Sequence, residues 1–272
     1  MNNHMLSTIT RIAKEAGRII LDYYQSPDDG IEYKADNSPL TLADKGSDAY
    51  IRSELEKQFP IPVISEEKPI PYEERKDWDA FFLVDPLDGT KDFIGKNGEF
   101  TVNIALIRNK KPVLGVIYAP ATGELYYATK GNGAFLEKDD KIYRLPCSKQ
   151  KPGERTVTGS RKHSSKLDAE FQDLNDIKTI LLRGSSLKFC AVAAGAATLY
   201  PRFQGSMEWD IAAGHIIATE SGCGIVDLTT GKEPDYNKKS LLNNYFIVHA
   251  GCLDPSSLRY PENKTTNSAE YL

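Results

Sequence analysis

The sequence is poor in the residues that build metal cages from sulfur or disulfide frameworks. Only four of its 272 residues are cysteine, Cys147, Cys190, Cys223 and Cys252, and none falls in a Cys-x-x-Cys pair. This spacing suggests neither a zinc site nor a disulfide scaffold and predicts reduced, mostly buried thiols. Long hydrophobic runs are missing too. Hydrophobic residues make up 40% of the chain, yet no apolar stretch approaches the roughly 20 residues of a membrane-spanning helix. There is no basic excess either. A net charge of −4 disfavours a nucleic-acid polymer as partner, because such a partner calls for a positive face. Met1-Asn2-Asn3-His4 lacks the basic start and apolar stretch of a secretory signal, and the expectation is a cytoplasmic protein.

Periodicity is plentiful. Ile9, Ile12, Ala13, Ala16, Ile19, Ile20 and Tyr23 recur at helical spacing and predict an amphipathic opening helix. Thr41 with Asp44 three residues on resembles a capping box, and Tyr50, Ile51, Leu55 and Phe59 carry the apolar face of a second helix. Two short apolar runs, Val63-Ile64 and Phe81-Phe82-Leu83-Val84, lead into acidic residues. They predict buried strands that deliver carboxylates at their C-terminal ends. Thr101 to Ile107 and Val113 to Tyr118 predict a hairpin through Arg108-Asn109-Lys110-Lys111, and Leu125 to Thr129 a further strand before the Gly131-Asn132-Gly133 turn.

The polar stretch Ser148 to Glu154 marks a boundary, dividing an N-terminal α+β half (1–150) from a C-terminal α/β half (151–252). In the second half, strands at Thr156 to Thr158, Thr179 to Leu182, Leu199 to Phe203, Ile225 to Leu228 and Tyr245 to His249 are predicted. Between them lie helices near Ser165 to Leu174, Ser186 to Ala197 and Asp210 to Ser221. This alternation is the mark of an α/β fold. Residues 253–272 read as a polar tail that packs little.

Three short motifs carry chemistry. Asp85-Pro86-Leu87-Asp88-Gly89-Thr90 follows a predicted buried strand. Asp-Pro and Asp-Gly are ordinary turn pairs. Two aspartates three apart at a strand end, with a glycine that lets backbone come close, also suit shared cations and a bound phosphate. Glu66-Glu67 reads alone as a solvated pair, and Asp210, between Trp209 and the apolar run from Ile211, reads alone as a helix cap.

Taken together, Ser65-Glu66-Glu67, Asp85 to Thr90 and Trp209-Asp210-Ile211-Ala212-Ala213-Gly214 resemble the three motifs of the inositol monophosphatase superfamily, in order and spacing. Further stretches resemble its bisphosphate nucleotidase branch, the CysQ type: Lys34 to Pro39, Thr90 to Ile94, Glu99 to Ile107, Gly184 to Cys190 and Leu199 to Phe203. The resemblance implies a layered αβαβα sugar-phosphatase fold and two or three Mg²⁺ ions. Glu66, Asp85 and the Leu87 carbonyl would hold one ion, and Asp85, Asp88 and Asp210 a second. It implies that Asp44 and Thr90 orient and deprotonate a water; Asp44 alone reads as a capping residue, and the two roles need not compete, because the backbone cap and the outer lone pairs of the carboxylate are separate. Substrate contacts carry over to Glu66, Leu87, Asp88, Gly89, Thr90 and Asp210, and in the second half to Ser160, His163, Ser185, Lys188 and Arg202. Alone, His163 reads as a loop histidine, and Lys188 and Arg202 as surface charges. The implied substrate is a small nucleotide bisphosphate, adenosine 3',5'-bisphosphate, with lithium sensitivity and a monomer or homodimer as the state; the alternatives are an inositol monophosphatase or other sugar phosphatase of the same superfamily, and a non-catalytic nucleotide-binding protein that keeps the fold. Some relatives also suggest peripheral association with the inner membrane.

Overall fold

The computed structural model of the chain describes residues 3–26, 32–33, 39–146, 155–161 and 165–262. The expected boundary at Ser148 to Glu154, the thiol Cys147 and His163 lie outside them, as does Lys34 to Ser38. In chain order the elements are α1 (Asn3–Tyr24), β1 (Glu32–Tyr33), β2 (Pro39–Leu40), α2 (Leu42–Gln58), β3 (Val63–Ser65), α3 (Tyr72–Arg75), β4 (Ala80–Asp88), α4 (Thr90–Ile94), β5 (Thr101–Arg108), β6 (Lys111–Ala119), β7 (Glu124–Thr129), β8 (Ala134–Lys138) and β9 (Lys141–Arg144). The chain continues with β10 (Thr156–Gly159), α5 (Lys166–Leu174), β11 (Thr179–Leu182), α6 (Leu187–Ala193), β12 (Leu199–Arg202), α7 (Glu208–Glu220), β13 (Gly224–Asp227) and β14 (Phe246–His249).

Seven strands form one sheet in the order β3-β4-β5-β6-β7-β8-β9, antiparallel except for the parallel pair β3 and β4. Strand alternation sends its side chains to two different cores. Phe82 and Val84 of β4 join Ile9, Ile12, Ile51 and Leu55 of α1 and α2. Phe81 and Leu83, one residue out of step, join Trp209, Ile216 and Ile217 of α7. Five strands form the second sheet, order β11-β10-β12-β14-β13, with β10 parallel to β11 and β12. It alternates likewise: Tyr200, Phe246 and Val248 face the α6/α7 layer, while Leu199 and Ile247 face Phe171 of α5. The layers therefore run α1/α2, sheet, α6/α7, sheet, α5, which is the αβαβα arrangement expected.

Several local differences from the sequence reading have simple causes. The predicted hairpin turn is there, with Asn109 and Lys110 both at positive φ, the left-handed pair of a two-residue turn. A second such turn at Asp139 and Asp140 joins β8 to β9, neither of which was expected. Every residue of β9 is exposed, so it carries no apolar alternation to read. Helix α6 stops at Ala193, short of the expected Ala197, because Gly195 at φ 80° turns the chain out of the helix. The stretch after Cys252 does not behave as a free polar tail over its described part. Leu258 is buried in the third core, Tyr260 packs 5.8 Å from Phe171, and Asn175 bonds both the amide and the carbonyl of Arg259. Two apolar side chains in a polar stretch suffice to dock it.

Helix α7 crosses the first sheet at Gly115, where a Cβ would lie 2.7 Å from the Ala213 carbonyl oxygen and 2.9 Å from its Cα and would run into the Ile216 side chain. Backbone cannot yield as a flexible side chain can. Gly115→Ala should therefore lower unfolding stability by about 1–3 kcal/mol, read as a lower denaturant midpoint at unchanged slope.

Candidate active site

The strand ends bring the acidic motifs together. Parallel strands β3 and β4 lie side by side, with Ser65 opposite Val84, so Glu66 and Asp85 leave neighbouring strand ends on the same side. The Glu66 amide donates to the Val84 carbonyl at 3.1 Å. A register shift between Asp85 and Asp88 breaks the ladder with β5 and lets both aspartates serve one cavity. From the far side, the first turn of α7 supplies Asp210. Glu66, Asp85, Leu87, Asp88, Gly89, Thr90, Ser160, Ser185, Lys188, Arg202 and Asp210 all line this cavity of about 320 Å³. The structure thus gathers every described residue picked from sequence except Asp44, which joins through Thr90.

Each carboxylate is held by short bonds. Asp85 Oδ1 accepts from the Leu87 amide at 3.1 Å. Asp88 Oδ2 accepts from the Ser186 amide at 2.6 Å and Asn103 Nδ2 at 3.3 Å. Asp210 is the third residue of α7 rather than its N-cap, and it caps the helix from within: α7 begins at Glu208, and Asp210 Oδ2 accepts from the Met207 amide at 2.8 Å. Gly89, at φ 91°, is the left-handed residue before α4, and a Cβ there would lie 3.2 Å from the Glu99 carbonyl oxygen.

Asp44 makes two separate sets of contacts, one with each carboxylate oxygen. Its Oδ2 accepts from the Thr41 amide at 2.7 Å and from Thr41 Oγ1 at 2.5 Å, completing the capping box of α2. Its Oδ1 accepts from Thr90 Oγ1 at 3.2 Å. One oxygen caps the helix while the other faces the cavity wall.

The electrostatics are lopsided. Burial pushes the Asp85 carboxyl well above the usual range, and Glu66, Asp88, Asp210 and Asp44 add to the push. Burial and Asp88 together push Asp210 up to about 8. Asp88 is raised by burial despite the opposing pull of Lys188 and the bonds from Asn103 and Ser186. Asp44 is raised as well, chiefly by burial. Lys188 is no surface charge: only 4% of it is exposed, its Nζ lies 5.7 Å from the Tyr200 ring centroid, and burial brings its pKa down to about 8. Arg202 is half-buried and donates through Nη2 to the Gly205 carbonyl at 3.0 Å.

Lys91, Asp92, Arg161, Tyr200 and Ser206 also line the cavity. The sequence reading did not select them, although Lys91, Asp92 and Tyr200 lie inside the matched stretches and Arg161 adjoins Ser160.

The sequence model of the inositol monophosphatase family matches residues 1–256. The chain belongs to this family. It is 44% identical over 249 residues to the 3'(2'),5'-bisphosphate nucleotidase CysQ of Salmonella typhimurium, covering 90% of this chain and 99% of the relative. Identity to the CysQ of Escherichia coli strain K12 is 43% over the same shares of each chain. Among solved structures, CysQ from Bacteroides thetaiotaomicron superposes with a TM-score of 0.80 at 41% identity, covering 90% of this chain and 96% of that one. An IMPase from Thermotoga maritima superposes with a TM-score of 0.75 at 26% identity, covering 92% and 93%.

Inositol monophosphatase family members are in general metal-dependent phosphatases, and the donor set here fits hard cations. It consists of four carboxylates with the Leu87 carbonyl, all oxygen. Among the described residues no three His, Cys, Asp or Glu side chains form a ready metal cage by position alone. The fit therefore rests on donor chemistry and on charge. Two carboxylates about 4 Å apart repel by about 4 kcal/mol at an effective dielectric of 20, and cations are the natural relief.

This repulsion is measurable. Carboxyls whose folded pKa is raised contribute stability below their unfolded value of about 4 and lose it as pH rises through the folded value, about 8 for Asp210. The metal-free protein should melt at a lower temperature at pH 8 than at pH 5, and a divalent cation should remove the difference. A melting temperature that is flat across this range without metal would refute the account.

Proposed function

We propose that the chain is a magnesium-dependent 3'(2'),5'-bisphosphate nucleotidase that hydrolyses adenosine 3',5'-bisphosphate to AMP and phosphate. The observation that carries the reading is the sharing of one cavity by an all-oxygen carboxylate cluster and by cationic side chains, Lys188 and Arg202 among them. The first suits the phosphate that reacts, and the second suits one that does not. The similarity to the CysQ nucleotidases supports the same substrate class.

Glu66, Asp85 and the Leu87 carbonyl would hold one Mg²⁺, and Asp85, Asp88 and Asp210 a second, with Asp85 between them; a weaker third ion would touch Glu66. When bound, these ions neutralise the charge of the phosphate oxygens and acidify water. The chain's own groups do the rest. Thr90 Oγ1 directs its proton at Asp44 Oδ1, leaving its lone pairs to accept from the attacking water. As the water gives a proton to Thr90 Oγ1, Thr90 passes its own to Asp44 Oδ1, so the net transfer is from water to Asp44 and Thr90 keeps its hydroxyl. Lys188 and Arg202 engage the second phosphate, Arg202 being capable of paired bonds. The enzyme works in the cytoplasm, clears a by-product of sulfur metabolism, accepts 3'-phosphoadenosine 5'-phosphosulfate as a second substrate and is inhibited by Li⁺.

A phosphate-release panel over adenosine 3',5'-bisphosphate, 3'-phosphoadenosine 5'-phosphosulfate and inositol monophosphate, with Mg²⁺ and with chelator, tests this reading. The expected result is fastest release from the first and none in chelator; inositol monophosphate as the best substrate would overturn it. Asp44→Asn keeps one oxygen for the cap but takes the acceptor from Thr90. Its kcat should fall by about 10²-fold with little change in melting temperature. Arg202→Ala should cut kcat/KM for the bisphosphate about 10- to 100-fold and change inositol monophosphate turnover much less.

A further inference from the structure

Two of the residues expected to contact the nucleotide, Ser160 and Ser185, sit on loops of the second sheet, one after β10 with Arg161 and the other after β11 with Gly184. One side chain reaches both loops from the first sheet's side, and the second loop has a further tie there, Thr101 Oγ1 of β5 lying 3.3 Å from Ser185 Oγ. Glu99, just before β5, accepts from Arg161 Nε at 3.1 Å and Nη2 at 3.0 Å, a two-pronged ion pair. The same carboxylate accepts from the Gly184 amide at 2.9 Å, and Arg183 Nη1 lies 3.8 Å from it.

Glu99 is well placed to act as an anchor. Its side chain is only 16% exposed. Its backbone amide donates to Asn97 Oδ1 at 2.9 Å, and Asn97 Nδ2 donates to Asp92 of α4, the helix that begins at Thr90. The approach is close enough to require glycine: a Cβ on Gly184 would lie 2.6 Å from the Glu99 carbonyl oxygen and 2.8 Å from Asp92 Oδ2. The pairing also raises the pKa of Arg161, mainly through the hydrogen bond to Glu99.

We infer that Glu99 is a positioning residue for substrate specificity: its one carboxylate clamps the Ser160–Arg161 and Gly184–Ser185 loops to the half of the molecule that carries the phosphate site. Glu99 reaches no reacting atom. It sets the distance between the loops that hold the nucleotide and the carboxylates that hold the reacting phosphate, so its loss weakens binding and spares chemistry. The inference rests on the nucleotidase reading for its substrate and on geometry alone for the clamp.

Two measurements separate these supports. In steady-state kinetics on adenosine 3',5'-bisphosphate, Glu99→Gln should raise KM about tenfold with kcat within about twofold. The double variant Glu99→Gln/Arg161→Gln should be no worse than the worse single one, because the partners share one interaction. A fall in kcat at constant KM, or an unchanged KM, overturns the inference. In the substrate-free protein, Glu99→Ala should speed amide exchange at Gly184 at least tenfold while leaving exchange within β4 and β5 as in the wild type; unchanged exchange at Gly184 overturns the clamp. Lack of wild-type turnover of the bisphosphate would defeat the nucleotidase reading, and the exchange experiment would still decide whether the clamp exists.

Discussion

The structure depends on four carboxylates being forced into one partly dry cavity where they repel one another. Nothing local favours this. Asp85 and Asp88 would each be better solvated on a surface, and burial alone pushes both toward the protonated form. They stay because the seven-stranded sheet fixes them: β4 is buried on both faces through Phe81, Phe82, Leu83 and Val84, and its end goes where the core puts it. The surrounding bonds then aim the oxygens. The amides of Leu87, Ser186 and Met207 donate to Asp85, Asp88 and Asp210 in turn, and the charge of Lys188 pulls Asp88 back toward its ionised form. Such a cluster is poised for cations and, through them, for phosphate.

Helix α7 connects this local strain to the whole fold. It packs on the first sheet through Ile216, Ile217 and Ala213, and its other side belongs to the same core as Tyr200, Phe246 and Val248 of the second sheet. Close approach on each side uses glycine, Gly115 on the sheet and Gly214 against the Phe189 ring. The helix that contributes Asp210 is therefore set by packing from two directions, which holds one carboxylate opposite three others despite their repulsion. The Glu99 clamp performs a related service at the cavity mouth, where polar bonds rather than apolar packing join the halves.

Much of this is legible in the residues. Apolar periodicity marks α1, α2, β4, β5 and α7, because each buries a face whose spacing follows its own geometry. The three acidic motifs, each ordinary when taken alone, are readable because together they resemble the motifs of one family in order and spacing. What escaped has equally physical reasons. Strand β9 is exposed along its length; α4 and α3 are too short to carry a period; and the docking of Leu258 and Tyr260 depends on a groove made by residues almost a hundred positions away.

By itself the sequence determined the order of elements, the family and the set of carboxylates, since propensity, period and motif spacing are local properties of the chain. Tertiary structure alone decided which oxygen of Asp44 caps α2 and which meets Thr90. It also decided that Lys188 is a buried countercharge rather than a surface lysine, and that Glu99 ties two distant loops together. These facts concern burial and direction between residues far apart in sequence, and no local pattern encodes either until the layers pack.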